Sequence, residues 1–367
     1  MNLKFLLVLL GICGLVEAQP NYFFASGRVE DAVTHQPLQA ASVFAQHTTI
    51  GMSTDAAGNF KLPLPNGGYD LVVSFTGYET STRRISSSDA GNDQLVISLS
   101  QQTQTMEAVA VKASNEVKNG WEQYGDFFKD QFIGKSANSR NCILRNPQVL
   151  HFYYSKKRNR LKVLADSPVV VENRALGYLI RYTLDSLTYD YTTQNSMYTG
   201  YPYFEELVPV DSVQGSSWQA HRKKAYLGSV LHFMRCVYQR QLKEAGFEIQ
   251  FIVKNHDADT SIRLGNFYGA LNYSMNDSLH VVDIQPNQPE MAVIYNREKP
   301  DEAFTGLDGF PLKDYQVSVL SFNPAEPISI EQNGFHYNQQ DISFEGYLSW
   351  EKLADMVPYD YQPPQQP

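Results

Sequence analysis

Residues 54–60 read TDAAGNF, and this stretch decides the fold of the first quarter of the chain. The Asp55 carboxylate can accept hydrogen bonds from backbone amides two residues ahead, and Gly58 adopts a positive φ at little cost. Phe60 then begins a strand by placing its ring in the core. The stretch therefore predicts a tight turn between two β-strands.

Short β-patterned runs alternate with turn signals on both sides of this turn, from Tyr22 to about Ser100. The run FFASGRVED predicts a first strand, and Pro37, which cannot donate to a ladder, predicts that the next strand begins just after it. NGG, with Gly67 at its centre, predicts a hairpin. This pattern is typical of a β-sandwich, and we expect seven strands.

The combined spacing of these residues resembles the carboxypeptidase regulatory-like domain, a transthyretin-like β-sandwich widespread in secreted proteins of Bacteroidota. The resemblance rests on the glycines, turn residues and core residues Gly27, Val29, Asp31, Thr34, Pro37, Leu38, Ala41, Val43, Thr54, Asp55, Gly58, Phe60, Gly77 and Tyr78. In that family the domain is an accessory fold without catalytic residues. The resemblance therefore implies no peptidase activity.

The stretch MEAVAVKA, residues 106–113, is similar to the TonB-box-like strand that follows such a domain in SusC-like outer-membrane transporters. In those proteins a plug and a large barrel come next. The 254 residues that follow here are too few for a barrel of more than twenty strands at roughly ten residues each. The sequence thus predicts the accessory domain without the transporter.

The first eighteen residues predict a secretory signal peptide. Lys4 gives a positive start, FLLVLLGICGLV is apolar, and Ala18 is a small residue for cleavage. A lipoprotein signal using Cys13 is disfavoured, because Ile12 stands where a small residue is needed. No later apolar run approaches the roughly 18 residues of a membrane helix. With a formal net charge of -9, the chain is a poor candidate for binding nucleic acid.

We expect a signal peptide over residues 1–18, the sandwich over 19–100, a linker over 101–120 and a second domain over 121–357. The second domain alternates strand patterns with two amphipathic helical patterns. The chain is therefore predicted to be mainly β with an α+β second domain, which is mostly antiparallel.

The apolar spacing predicts one long helix over residues 217–245, which Gly246 ends. Ser349 is expected to cap a short last helix, WEKLADM. The Pro/Gln-rich segment 358–367 is predicted to be an extended, mobile tail.

This second part resembles the corresponding region of secreted Bacteroidota proteins that carry the same N-terminal domain. The similar pieces are Asn146-Pro147, Glu172-Asn173, Leu176-Gly177-Tyr178, Arg222 to Arg235 and Gly346 to Glu351. The resemblance supports the compartment and the architecture, and it implies no chemistry.

Cys142 and Cys236 remain after signal cleavage. A disulfide between them would close a loop of about a hundred residues and contribute roughly 4 kcal/mol in the chain-entropy model. The alternative is two separately buried thiols that pack as small apolar groups.

Local motifs for catalysis or metal binding are weak. Ser229 has only His232 as a nearby partner, in a helix where packing is the more frequent role. His232 and Cys236 lie four residues apart on one helical face, with His221 on nearly the same side, and could hold zinc if Cys142 approached. A polar turn at residues 256–259 could bind calcium weakly, although a plain β-turn is the simpler interpretation. We expect no cofactor.

HRKK, formed by His221, Arg222, Lys223 and Lys224, is predicted to begin the long helix, where positive charge opposes the helix dipole. Such a patch could bind an anionic partner, or it could be a solvated face. The leading hypothesis is a non-enzymatic, exported cell-envelope protein that binds a protein or glycan. The alternative is an envelope hydrolase whose site is assembled from distant residues of the second domain.

Overall fold

The computed structural model describes residues 22–102, 115–254, 259–307, 314–323, 325–337 and 341–364. The predicted signal peptide, the TonB-box-like stretch and most of the predicted calcium turn lie outside these ranges. In the described residues no helix is both long and apolar enough to cross a membrane.

The sandwich has the seven strands that the sequence predicts. They are β1 (Tyr22–Asp31), β2 (Ser42–Ala45), β3 (Gly51–Ser53), β4 (Asn59–Pro65), β5 (Gly68–Ser74), β6 (Ser81–Ser86) and β7 (Leu95–Leu99). One sheet has the order β4-β1-β7 and the other β3-β2-β5-β6. Only the β1–β7 pair is parallel among these strands. Side chains of both sheets, such as Val29 and Val73, share one hydrophobic core.

TDAAGNF forms the turn between β3 and β4. The Asp55 carboxylate accepts hydrogen bonds from the amides of Ala57 at 2.9 Å and Asn59 at 2.7 Å. Gly58 has a φ of +77° and Phe60 is buried. The turn thus satisfies its own backbone before the chain enters the core.

Other residues of the resemblance fix the position of β1 and the loops beside it. A Cβ on Gly27 would lie 1.9 Å from the backbone oxygen of Leu95, so only glycine lets β1 approach β7 this closely. The buried Asp31 accepts hydrogen bonds from two backbone amides and from the Tyr78 hydroxyl, the last at 2.7 Å. Pro37 forms an isolated antiparallel bridge with Glu30.

The second domain contains two antiparallel sheets of five or more strands and a smaller one. The first has the order β8-β11-β12-β10-β9 with β13 beside β12, the second β15-β14-β18-β19-β21, and the third β16-β17-β20. The strands are β8 (Cys142–Leu144), β9 (Leu150–Ser155), β10 (Arg160–Ala165), β11 (Val169–Asn173), β12 (Tyr178–Asp190), β13 (Asn195–Glu206), β14 (Phe247–Lys254), β15 (Asp259–Arg263), β16 (Ser274–Asn276), β17 (Val281–Ile284), β18 (Glu290–Tyr295), β19 (Gln316–Phe322), β20 (Ile328–Glu331) and β21 (Ile342–Gly346).

The helices of the described part are short. They are α1 (Gly120–Phe132), α2 (Ser212–Tyr226), α3 (Val230–Tyr238), α4 (Leu242–Ala245), α5 (Phe267–Ala270) and α6 (Tyr347–Trp350). Phe128 and Phe132 of α1 pack into the core of the first sheet, while Phe233 and Val237 of α3 belong to a second core. The mainly β, α+β fold class is confirmed, with two cores in the second domain.

The single long helix predicted over residues 217–245 is wrong. The chain forms α2, α3 and α4 in its place, and α2 begins earlier, after Asp211, whose side chain accepts a hydrogen bond from the Gln214 amide. Gly228, with a φ of +80°, breaks the first two helices apart, and Ser229 caps the second. Gly246 ends α4 in the left-handed conformation, as predicted.

The predicted last helix is also shorter and placed differently. Only Tyr347–Trp350 is α-helical, and Leu353–Asp355 forms a 3-10 turn. The reason is tertiary: the Ala354 amide donates to the Ile133 carbonyl at 3.0 Å, and its own carbonyl accepts from the Asn173 side chain at 2.8 Å. These long-range bonds take the backbone groups that a continuing helix would use.

The start of the predicted mobile tail is instead fixed between the domains. The Tyr359 amide donates to the His47 carbonyl at 2.6 Å, and the Thr49 amide donates to the Asp360 carboxylate at 3.0 Å. The buried Arg235 guanidinium donates to the carbonyls of both Tyr359 and Tyr361. The sequence pattern missed this, because the bonds come from segments more than a hundred residues away.

The sandwich also contacts the second domain directly. The Asn333 side chain donates to the Gly68 carbonyl at 2.9 Å, and the Arg84 guanidinium lies 4.5 Å from the ring centre of Phe335. Gly67, with a φ of +143°, leaves room for Asn333, whose Cγ would lie 2.5 Å from a Cβ at that position. The NGG hairpin thus serves the contact between the domains as well as the sandwich.

Candidate functional site

A cleft of about 690 Å³ opens in the second domain, at the side of α2. Its walls come from segments far apart in the chain: residues 136–141, 210–225, 298–301 and 347–355. Arg174, Ala175 and Gln316 complete the lining.

Asp355 is a buried residue of the cleft floor. Its side chain is 7% exposed, and its Oδ1 accepts a hydrogen bond from the Asn138 side chain at 2.9 Å. Its Oδ2 is buried and has no hydrogen-bond partner. Burial raises the pKa of Asp355 to about 6, and the neighbouring Ser136 and Asn138 side chains partly oppose this shift.

Two further carboxyl groups of the cleft are shifted in the same direction. Burial raises the pKa of Glu351 well above its usual range, and the nearby carboxylates of Asp355 and Glu298 add to the shift. Burial also raises the pKa of Glu298. Lys224 lowers both values and is the cation that acts on this pair. The floor therefore holds carboxyl groups that lack full compensation.

Gln316, at the start of β19, supplies a second buried acceptor without a partner. It is 5% exposed, and its Oε1 has no hydrogen bond. Gly228 is required beside it, because a Cβ there would lie 2.3 Å from this oxygen. Two buried oxygens in one cleft thus lack donors, where most buried polar atoms in proteins have them.

The rim of the cleft has a different chemistry. Val210 and Val213 are 86% and 75% exposed, and Val208, beside them in the chain, is 88% exposed. Trp218 lines the inner wall but is buried, and its indole N–H donates to the Arg174 carbonyl at 2.8 Å. The exposed part of the lining is therefore mixed, because aliphatic Val210 and Val213 stand beside charged residues such as Lys224 and Lys299.

The predicted basic patch is not a continuous surface. It lies near the C-terminal end of α2, whereas the sequence pattern predicts it at the start of a helix. Arg222 is buried and donates to the carbonyls of Leu176 and Gly177 and to the Glu206 carboxylate at 2.9 Å. Its guanidinium also lies 3.9 Å from the ring centre of Tyr178. The pattern missed this because α2 begins nine residues before His221, at Ser212.

The other three members of HRKK have separate surroundings. Lys223 and Lys224 lie in the last turn of α2, where positive charge favours the helix dipole. His221 and Lys224 line the cleft, and Lys223 does not. An anionic-partner patch of four residues is therefore not what the structure brings together.

The predicted disulfide is not formed, since Cys142 and Cys236 are free thiols. Cys142 packs against the core of the first sheet and Cys236 belongs to the second core. Burial raises the pKa of each thiol to about 12. The alternative interpretation, two separately packed thiols, describes the structure.

Ser229 and His232 act on the backbone. The Ser229 hydroxyl accepts from the His232 amide at 3.2 Å, and the His232 ring accepts from the Gly228 amide at 3.1 Å. Burial lowers the pKa of His232 to about 4. In the described ranges no group of three or more His, Cys, Asp or Glu residues is arranged to hold a metal ion.

His221 and Lys224 of HRKK line the cleft, but the other cleft residues were missed from sequence, with one indirect signal. Glu351 ends the stretch Gly346 to Glu351 that resembles the secreted Bacteroidota proteins. Asp355 and Gln316 carry no local pattern, since their neighbours come from distant segments. Proximity of this kind is set by the tertiary fold.

Comparison with known families identifies the first domain. Residues 25–111 match the CarboxypepD_reg-like domain, so the chain carries an N-terminal carboxypeptidase regulatory-like β-sandwich. The match covers about the part that the residue spacing predicts.

Two known proteins are similar to parts of the chain. The TonB-dependent receptor SusC of Bacteroides thetaiotaomicron is 30% identical over 120 residues, which are 32% of this chain and 11% of that protein. A 9R-lipoxygenase structure from Cyanothece is matched over 59% of this chain and 48% of its own, at 12% identity and a TM-score of 0.17. A score this low carries no argument about fold or function.

Proposed function

We propose that this chain is an exported cell-envelope protein without catalytic activity, in which the accessory sandwich accompanies a second domain that binds a protein or glycan partner. Export is supported by the signal-like residues 1–18. The envelope is supported by the similarity to SusC, a TonB-dependent receptor, and by the shared accessory domain. Periplasm, outer-membrane surface and secretion are all compatible with this proposal.

The observation that carries the binding role is the cleft with its unpartnered floor. An unpaired buried oxygen costs roughly 1–3 kcal/mol, so Asp355 Oδ2 and Gln316 Oε1 disfavour the unliganded state. A partner that supplies donors would remove this cost. Such a cost is typical of binding sites, where stability is given up for recognition.

Capture from envelope extract tests this proposal. The wild-type chain, immobilised without its signal peptide, is compared with Val210→Asp and with the matched variant Val33→Asp; both valines are 86% exposed. We expect a specific partner with the wild type and with Val33→Asp, and its loss with Val210→Asp. Absence of a partner above background, or equal capture by all three, would contradict the proposal.

A second candidate is an envelope hydrolase for peptide or glycan bonds. It is favoured by the raised pKa of Asp355, about 6, which suits a general acid near neutral pH. It ranks second because the two members of a catalytic acid–base pair usually have pKa values shifted apart. Here burial raises the pKa values of Glu298, Glu351 and Asp355 in the same direction. Hydrolysis of a peptide or oligosaccharide library that Asp355→Asn abolishes would make it the leading function.

A further inference from the structure

The cleft has two buried acceptors and no donor to match them. Asp355 Oδ2 and Gln316 Oε1 are the unpartnered atoms, and both side chains are more than nine-tenths buried. Because carboxylate and amide oxygens only accept here, the missing ligand group must donate. A ligand group with N–H or O–H donors would match the chemistry of such oxygens.

The charges around the floor favour a donor that is positive. Glu298, Asp301, Glu351 and Asp355 line the cleft, and none of them has an ion pair within the described part of the chain.

Two of the cations that line the cleft already have partners. Arg174 pairs with Glu172 at 2.7 Å, and Lys299 pairs with Asp314 at 3.0 Å. Lys224 is left to act on the carboxyl groups, and a cationic ligand would favour their ionised forms further.

The rim indicates a peptide. Sugar rings are usually bound on exposed aromatic faces, but Trp218 and Tyr347 of the lining are buried. The exposed apolar side chains of the lining include Val210 and Val213. Aliphatic side chains suit the methylene stem of a lysine, which packs on apolar surface while its ammonium reaches a polar group.

We infer that the cleft receives a lysine side chain of a protein partner, with its ammonium at the polar floor that contains Asp355 and Gln316 and its stem and neighbours against Val210 and Val213. This inference rests on the proposed binding function and narrows the partner to a protein. A lysine ammonium, with three rotatable donors, fits two acceptors on different elements better than the planar fork of arginine.

Titration with short peptides tests the inference. The probes are acetyl-Val-Lys-Val-amide and acetyl-Val-norleucine-Val-amide, which differ in the ammonium, and they are added to the full chain without its signal peptide up to 10 mM while amide NMR shifts are followed. We expect saturable shifts of cleft residues with the lysine peptide and at least tenfold weaker binding of the norleucine peptide.

Variants separate the cleft from general charge. Asp355→Asn is expected to weaken the lysine peptide at least fivefold, and Asp126→Asn, at a carboxylate that is 97% exposed on α1, is expected to leave it unchanged. Val210→Asp, at an exposed position, provides a second variant that does not depend on the cleft floor for folding. Equal binding of both peptides, or no binding of the lysine peptide, would overturn the inference.

The two proposals fail in different ways. If the wild-type chain captures a partner from envelope extract and still captures it after the lysines of the extract are acetylated, the lysine inference is wrong and the binding function stands. If the unmodified extract yields no partner, the binding function itself is wrong. An oligosaccharide partner would keep the function and overturn the lysine inference.

Discussion

Asp31 in the sandwich and Asp355 in the cleft are both more than nine-tenths buried, yet the pKa values of their carboxyl groups are shifted in opposite directions. Asp31 accepts from the amides of Val33 and Thr34 and from the Tyr78 hydroxyl, and these bonds hold its pKa well below its usual range. Asp355 has one unpartnered oxygen, and burial raises its pKa to about 6.

The difference fits the roles proposed for the two regions. The turn around Asp31 satisfies its polar groups with bonds inside the sandwich, which suits an accessory fold. The cleft leaves acceptors open and carboxyl groups desolvated, which costs stability and suits recognition. The predictions below change one region or the other and ask whether this contrast holds.

The largest effect is expected from Gly27→Ala. A Cβ at this position would lie 1.9 Å from the Leu95 carbonyl oxygen, so β1 and β7 must separate. We expect a loss of about 3 kcal/mol or more in the free energy of unfolding, measured by urea denaturation. The control is Gly77→Ala, with a φ of +84° and open space around it, where about 1 kcal/mol is expected. Similar losses of unfolding free energy for the two variants would contradict the close approach of β1 to β7 at Gly27.

Arg235→Met should give the next largest loss. The guanidinium donates to the carbonyls of Asn333, Tyr359 and Tyr361, and the variant leaves these groups unpaired while keeping the apolar stem. We expect a destabilisation of about 3 kcal/mol and faster proteolysis after residue 357. Arg83→Met, at an exposed position of β6, is the matched control and should change stability by less than about 0.5 kcal/mol.

Asp355→Asn is expected to stabilise the chain, in contrast to most buried substitutions. The folded-state pKa of about 6 lies above the unfolded value, so the native state binds more protons between roughly pH 4 and 6, and stability falls as the pH rises through that interval. Asparagine does not ionise, so the variant does not undergo this loss of stability, which amounts to about 3 kcal/mol at most. Denaturation at pH 8 should show the gain and at pH 4 should not; a loss at pH 8 would contradict it.

Asp31→Asn should act in the opposite sense and by less. Its folded-state pKa is lowered, so Asp31 contributes stability above the unfolded pKa, and this contribution disappears as the pH falls through the folded value. Asparagine keeps an oxygen that can accept from the Val33 and Thr34 amides and loses the charge. We expect the variant to have a lower free energy of unfolding at pH 7 and no such loss at low pH. An equal loss at both pH values would contradict a stabilising role for the negative charge of Asp31.

Local patterns predicted the sandwich because its determinants are close in sequence. The turn at Asp55, Gly58 and Phe60 is fixed by side-chain hydrogen bonds that span four residues at most. The alternation of apolar residues along each strand predicts which face is buried. The strands of the second domain were predictable for the same reason, and β9 and β10 flank the basic turn as expected.

The helix boundaries and the cleft were not predictable, because distant contacts decide them. Gly228 breaks α2 from α3 beside Gln316, and the Ala354 amide is held by Ile133. The apolar stripe continues through the first of these breaks, so periodicity alone indicates one helix. Arg222 shows the same limit: its sequence neighbours are basic, but its partners lie on β13 and in the loop before β12.

The most direct measurement is the titration of the Asp355 side-chain carboxyl by ¹³C NMR, assigned by comparison with Asp355→Asn. A desolvated cleft floor predicts a pKa of about 6 in the free chain and a lower value when acetyl-Val-Lys-Val-amide is added. An ordinary aspartate value near 3.9 that the peptide leaves unchanged would contradict the cleft as an open recognition site.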